Sequence, residues 1–260
     1  MTKYVHGTEA DEQERLAKLN KLTNPPFIDF LSPQTSDHIL EVGSGLGILA
    51  GEVAAIATTG RVVGIEYSAE QMAKVTAQRE NLEFLRGDAH SLPFADGTFD
   101  LVYSRYLLEH VNRPVVALRE MHRVLKPGGR VCVQENDIAV FQLWPECPTW
   151  TKLWANFGKL QTILGGDAYI GRKLFDYFQQ AGFSRIELGL YPEFHYAGLP
   201  TFELWMHNAL KILEASGPDL VARKMATVEE MTTTRAEIER FITLKEAASY
   251  FYWNRVRAIK

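Results

Sequence analysis

Cysteine is scarce in this chain, with two in 260 residues, and Cys132 and Cys147 share no metal-ligand spacing. No metal site is expected. No disulfide is required either, so the expected setting is a reducing cytoplasm. Long apolar runs are missing: none approaches the ~18 residues of a membrane span, and the polar start MTKYVHGTEADEQERL has no signal-like segment. An excess of positive charge is missing too. With a net charge of -4, the chain has no basic stripe of the kind that follows nucleic acid, and no nucleic-acid partner is expected. Repeats and low-complexity tracts are also absent. These absences point to an ordinary globular protein, 46% hydrophobic, long enough to bury a substantial core.

What is present has a rhythm. Short β-branched runs recur at ILEV (39–42), VVGI (62–65), LEFL (82–85), LVYS (101–104) and VCVQ (131–134). LGILAGEVAAIA, apolar at helical period, separates the first two. SAEQMAKVTAQRE separates the next pair and carries a capping-box pair, Ser68 and Gln71. Residues 112–125 read as a helix with Pro114 near its first turn. Strand alternating with helix predicts an α/β fold, a Rossmann-like parallel sheet with helices on both faces. After residue 135 the rhythm breaks. Two helical insertions, 139–168 and 200–247, are expected to cap the sheet; Thr227/Glu230 and Thr234/Glu237 both match capping boxes there. Residues 169–183 read as a helix ending at Gly182, followed by the strand SRIELGLYP, and SYFYWNRVRAI reads as a last strand. The expected organisation is one domain over 1–260, with a helical arm at 1–30 and a cofactor-binding core at 38–135.

The core's chemistry is concentrated in EVGSGLG. Glycines at 43, 45 and 47 after an apolar strand describe a tight turn that lets a ligand approach the backbone. A dinucleotide turn wants G-x-G-x-x-G, whereas here the third glycine comes one residue early and position 48 is Ile. Acids stand at or near three strand ends: Glu41, Glu66 and Asp88. Two of them suit a ribose diol and an exocyclic amine, and nothing is placed for a pyrophosphate. The pattern favours an adenosine cofactor without a diphosphate.

EVGSGLG, VVGIEYSAEQM, GDAHSLPFADGTFDLVYS, LLEHV and LKPGG, in that order, resemble the class I S-adenosylmethionine-dependent methyltransferases, especially the branch of ubiquinone and menaquinone biosynthesis. The resemblance implies a seven-stranded sheet whose last strand runs antiparallel between the fifth and sixth. It implies S-adenosylmethionine as cofactor, S-adenosylhomocysteine as product, and methylation of a small-molecule acceptor; the aromatic residues of the insertions suit an apolar or aromatic one. It assigns Gly43, Ser44 and Gly45 to the methionine part, supported by Glu41. Glu66 would take the ribose hydroxyls, Tyr67 the adenine face, and Asp88 with Ala89 the adenine amine. Ser104 and Arg105 would flank the methionine end, and Tyr4 would come from an arm folded over the cofactor. Alternatives are a non-catalytic S-adenosylmethionine-binding protein and an NAD(P)-binding oxidoreductase.

Other features have plainer readings. His110 in LLEHV suits packing or support of the site, and His122 suits a structural role. NPPF (24–27) reads as a helix-terminating turn. The aromatic residues of the insertions are core, substrate pocket or both. No catalytic residue is assigned; Glu135, Asp137 and His195 are candidate bases, since each lies where a strand end meets the cap.

Overall fold

The computed structural model describes residues 20 and 23–260. Tyr4 and most of the expected arm lie outside the described residues. Five strands are mutually parallel: β1 (His38–Val42), β2 (Arg61–Glu66), β3 (Leu82–Arg86), β4 (Phe99–Arg105) and β5 (Leu125–Glu135). Three more complete the sheet: β6 (Gln142–Trp144), β7 (Ser184–Tyr196) and β8 (Ala248–Ile259). The order is β3-β2-β1-β4-β5-β8, and β8 is antiparallel to β5, β6 and β7. The last strand thus runs between β5 and β7, as the family resemblance implied. The sheet has eight strands rather than seven because the three-residue β6 pairs with β8 beyond the end of β5.

Helices cover both faces. On one side Phe27 and Leu31, from the helical residues 23–31 (α1), and Leu49 and Val53 of α2 (Ile48–Ile56) pack on Ile39, Val62 and Leu101. On the other, Leu118 and Met121 of α4 (Pro114–Val124) and Phe178 of α6 (Leu174–Ala181) pack on Leu40, Val42, Val63 and Val102. Ile39 and Leu40 separate between the two clusters because successive strand residues point to opposite faces. Doubly covered strands need apolar residues on both sides, which is why β1 and β2 read as continuous hydrophobic runs.

A third cluster belongs to α5 (Pro148–Ile163), α7 (Phe202–Ala222) and α8 (Val228–Phe241), the helices of the two insertions. Trp150, Trp154, Phe157 and Trp205 meet Phe251 and Trp253 of β8 there. Phe141 joins them, its ring 5.3–6.1 Å from those of Trp150, Trp154, Trp205 and Phe251.

Three local expectations need correction. The helix after β2, α3, is only Ala69–Met72; Ser68 Oγ does accept the Gln71 N–H at 3.2 Å. Residues 73–80 are mostly exposed, with no apolar face for packing to hold helical. NPPF lies within α1 instead of ending a helix, because fully buried Phe27 and Leu31 anchor that segment to the sheet. The capping box at Thr227/Glu230 forms, with bonds of 3.0 and 2.8 Å. Thr234 instead sits inside α8, and its partner Glu237 accepts the Trp150 N–H at the start of α5 (2.8 Å).

Candidate active site

A cavity of about 610 Å³ opens where the carboxyl ends of β1 to β4 meet the cap helices. The strand order reverses between β1 and β4, the place where open α/β sheets bind ligands. The floor is the turn after β1. Gly43, Gly45 and Gly47 all have positive φ, at 81°, 53° and 73°, a region that only glycine enters without strain. The Gly43 and Ser44 N–H groups both donate to the Ile65 carbonyl, at 2.8 and 2.9 Å, which lashes the turn to β2. A Cβ at Gly47 would stand 2.5 Å from Cζ of Phe84, and one at Gly45 would meet nothing within 4 Å. The third glycine therefore makes room for a ring of β3, while the second leaves its space to a ligand.

The three acids converge on this cavity but do different things. Glu66 accepts the Gly45 N–H (2.9 Å) with one oxygen and the Ser68 N–H (2.8 Å) with the other. Each oxygen keeps a further lone pair for a ligand. Glu41 is buried, and that burial pushes its carboxyl up to about 8, against the pull of Arg105 and the Tyr103 hydroxyl beside it. Its Oε2 has no protein partner. Asp88 is half exposed; partial burial pushes it up, but the amide and ring of His90, at 2.9 and 2.7 Å, outweigh this and hold it below the usual carboxylate range.

Of the residues expected at the site, Glu41, Gly43, Ser44, Gly45, Glu66, Tyr67, Asp88, Ala89 and Arg105 line the cavity. Ser104 does not: it is fully buried in β4 behind the wall. Arg105 is drawn sideways, donating to Asn20 and Asn24 (both 2.6 Å) and Thr23 (3.1 Å). Asn24 also donates to Glu52 at 2.9 Å, so the NPPF asparagine clamps a residue of the site to α2. Tyr106 follows with φ 56°, a strained conformation for a non-glycine residue. Gln134 holds the Tyr106 hydroxyl (2.8 Å), and the ring packs on Trp253 at 4.6 Å.

The three candidate bases are engaged away from the cavity. Glu135 is fully buried and accepts the N–H groups of Leu107, Leu108 and Glu109 at 3.0, 2.8 and 3.4 Å. Burial and the neighbouring Glu109 charge push its carboxyl up, those three bonds opposing. Asp137 is forked by Arg172 at 2.5 and 2.8 Å. His195 bonds Thr201 and Glu193 (2.9 and 2.8 Å) and stacks on Trp205. The residues that do line the far end are Glu109, His110, Asn136, Trp154, Phe157, Gln161 and Trp253. Two of the polar ones left faint marks in the sequence: Glu109 stands in LLEHV beside the histidine that drew attention, and Gln161 interrupts an apolar helix face.

Residues 40–133, the segment holding the turn and all three acids, match the family described as a methyltransferase domain. This segment carries the match to a methyltransferase domain, the kind of domain the sequence motifs resemble. The chain is 35% identical over 136 residues to a demethylmenaquinone methyltransferase of Staphylococcus aureus, a match covering 50% of this chain and 53% of that protein. The chain spans about half or less of the length of the curated relatives it matches. Among solved structures, the [4+2]-cyclase SpnF has a TM-score of 0.56 at 21% identity, covering 93% of this chain and 81% of that one. A phosphoethanolamine N-methyltransferase of Haemonchus contortus has a TM-score of 0.55 at 18% identity, covering 95% of this chain and 53% of that one. A cyclase and a methyltransferase share the frame, so the frame alone does not choose the reaction.

Proposed function

We propose that the protein transfers the methyl group of S-adenosylmethionine to a small apolar or aromatic acceptor by in-line displacement, releasing S-adenosylhomocysteine. The observation that carries this reading is one continuous cavity. Its glycine-turn end lies in the methyltransferase domain, and its other end is walled by Trp154, Phe157 and Trp253. The chain's own atoms fit the cofactor. Glu41 Oε2, Ser44 Oγ and Gln71 Oε1 are buried without protein partners on its wall, and Gly45 leaves open space. Glu41, Gly43, Ser44 and Gly45 would hold the methionine portion, with Arg105 at its border and Ser104 backing the wall. Glu66 would take the ribose diol, Tyr67 the adenine face, and Asp88 with Ala89 the adenine amine.

When bound, the cofactor supplies an electrophilic methyl carbon on a sulfonium whose sulfur leaves without protonation. The protein's task is to hold the nucleophile in line with that carbon and to exclude water. The strained turn at Tyr106 and the aromatic wall suit that task. Two measurements test the reading. Calorimetric titration with S-adenosylmethionine, NAD and NADP should give binding by the first alone. Incubation with labelled cofactor and an acceptor panel should give a methyl mass shift; cofactor binding with no acceptor turned over would favour the non-catalytic alternative.

A further inference from the structure

Three polar side chains from separate elements meet at the far end of the cavity: Glu109 after β4, Asn136 after β5, and Gln161 on α5. Gln161 Nε2 donates to Glu109 Oε2 at 3.0 Å. That bond fixes the amide, so its free group is the carbonyl. Gln161 is 2% exposed, and its Oε1 has no protein partner; neither has Asn136 Oδ1. The site therefore offers a carboxylate and two carbonyl oxygens as acceptors, with His110 Nε2 3.8 Å from the other Glu109 oxygen, in a cavity also lined by Trp154, Phe157 and Trp253. Buried acceptors left unmatched are costly, and a ligand bearing N–H or O–H on an aromatic body would match them. Glu135, behind Glu109, spends its oxygens on backbone N–H groups, and burial beside a second carboxylate pushes it toward the neutral form. Glu109 is the member of the pair that lines the cavity.

We propose that Glu109 is the catalytic base of this site: it binds the N–H or O–H of the methyl acceptor and receives its proton, while Gln161 holds the carboxylate in place. This rests on the methyl-transfer reading. The step balances: the acceptor's X–H proton passes to the Glu109 carboxylate and its X atom forms the new bond to the methyl carbon. The electron pair of the broken S–C bond stays on the departing sulfur, and Glu109 later returns the proton to solvent.

Glu109→Gln separates this role from mere bracing, because its amide oxygen still accepts from Gln161 while the charge is lost. Parent and variant, loaded with S-adenosylhomocysteine, are titrated with 2-naphthol, 2-naphthylamine and 2-methoxynaphthalene. The parent should bind the hydroxyl or the amine probe about tenfold or more tighter than the donor-less ether, as a bond to a charged group allows. The better of the two identifies the donor. In Glu109→Gln that preference should fall below about threefold, with S-adenosylhomocysteine affinity within about twofold of the parent. Methylation of the preferred probe, read by mass shift, should fall about a hundredfold or more. Equal affinity for all three probes, binding of none, or an unchanged preference in the variant overturns the binding role. No turnover of the preferred probe by the parent, or a loss in the variant under about threefold, overturns the proton-accepting role. Failure of the parent to bind S-adenosylhomocysteine would instead overturn the methyl-transfer reading.

Discussion

The two ends of the cavity are built by different means. At the cofactor end the wall is mostly backbone: three glycines at positive φ, a turn lashed to β2 through the Ile65 carbonyl, and Glu66 pinned by two N–H groups. At the acceptor end the wall is side chains: aromatic rings and the amides of Asn136 and Gln161, carried on cap helices and strand ends. The comparison teaches a division of labour. A wall framed by backbone turns suits one unchanging ligand, with a side chain such as Glu66 itself pinned by that backbone. A side-chain wall can change its chemistry one residue at a time while the frame stays put, and under the proposed function acceptor choice would belong to the cap.

The largest expected effect lies in the cap. Trp150 is 1% exposed and stacks on Trp154 with centroids 4.9 Å apart. Trp150→Ala should cost about 3–5 kcal/mol, measured by denaturant unfolding. If S-adenosylhomocysteine binding survives in that variant, the two ends are energetically separable; joint loss would break the comparison. Deleting the whole segment around α5 is a poorer test, because that helix is the centre of the cap cluster.

Glu66→Ala should come next, at the other end. It removes the acceptor for the Gly45 and Ser68 N–H groups as well as the ribose contacts assigned above. At about 1.5–3 kcal/mol for each bond to a charged group, S-adenosylmethionine affinity should fall roughly ten- to a thousandfold by calorimetry. A loss within twofold would detach the acid from the site.

A pH effect follows from Glu41. Burial raises its carboxyl from 4.5 to about 8, so the folded protein holds the proton more tightly than the unfolded chain. The stability this confers is complete below the unfolded value and is lost as pH rises to about 8. Glu41→Gln should therefore lose less thermal stability than the parent between those limits. Parallel curves of melting temperature against pH for the two proteins would show that the group does not titrate this way. The smallest expected effect is Thr227→Ala, which removes the cap of α8 and should cost about 1 kcal/mol in thermal unfolding, leaving cofactor affinity unchanged.

Local physics made much of the cofactor end legible. Glycine is favoured where φ is positive or a ring needs the space, so EVGSGLG announced its own turn; short β-branched runs and helical spacing announced β1 to β5, α2 and α4. Three acids at strand ends could be read together because a parallel sheet brings its carboxyl ends to one edge whatever the packing details. Contacts between distant segments could not be read this way. Local propensity made NPPF a terminator, but burial of Phe27 and Leu31 kept it helical and gave Asn24 to Arg105. Glu135, Asp137 and His195 each stand at a strand end, yet backbone N–H groups, Arg172, and Thr201 with Glu193 claim them. Glu109 and Gln161 are 52 residues apart and meet only because α5 packs back against the turn that follows β4. The sequence determined the fold class and the cofactor edge, because those depend on backbone conformation and strand polarity. Tertiary structure decided which buried polar groups were already satisfied and which still faced the cavity, because a hydrogen bond is settled by what packs beside it and not by its neighbours along the chain.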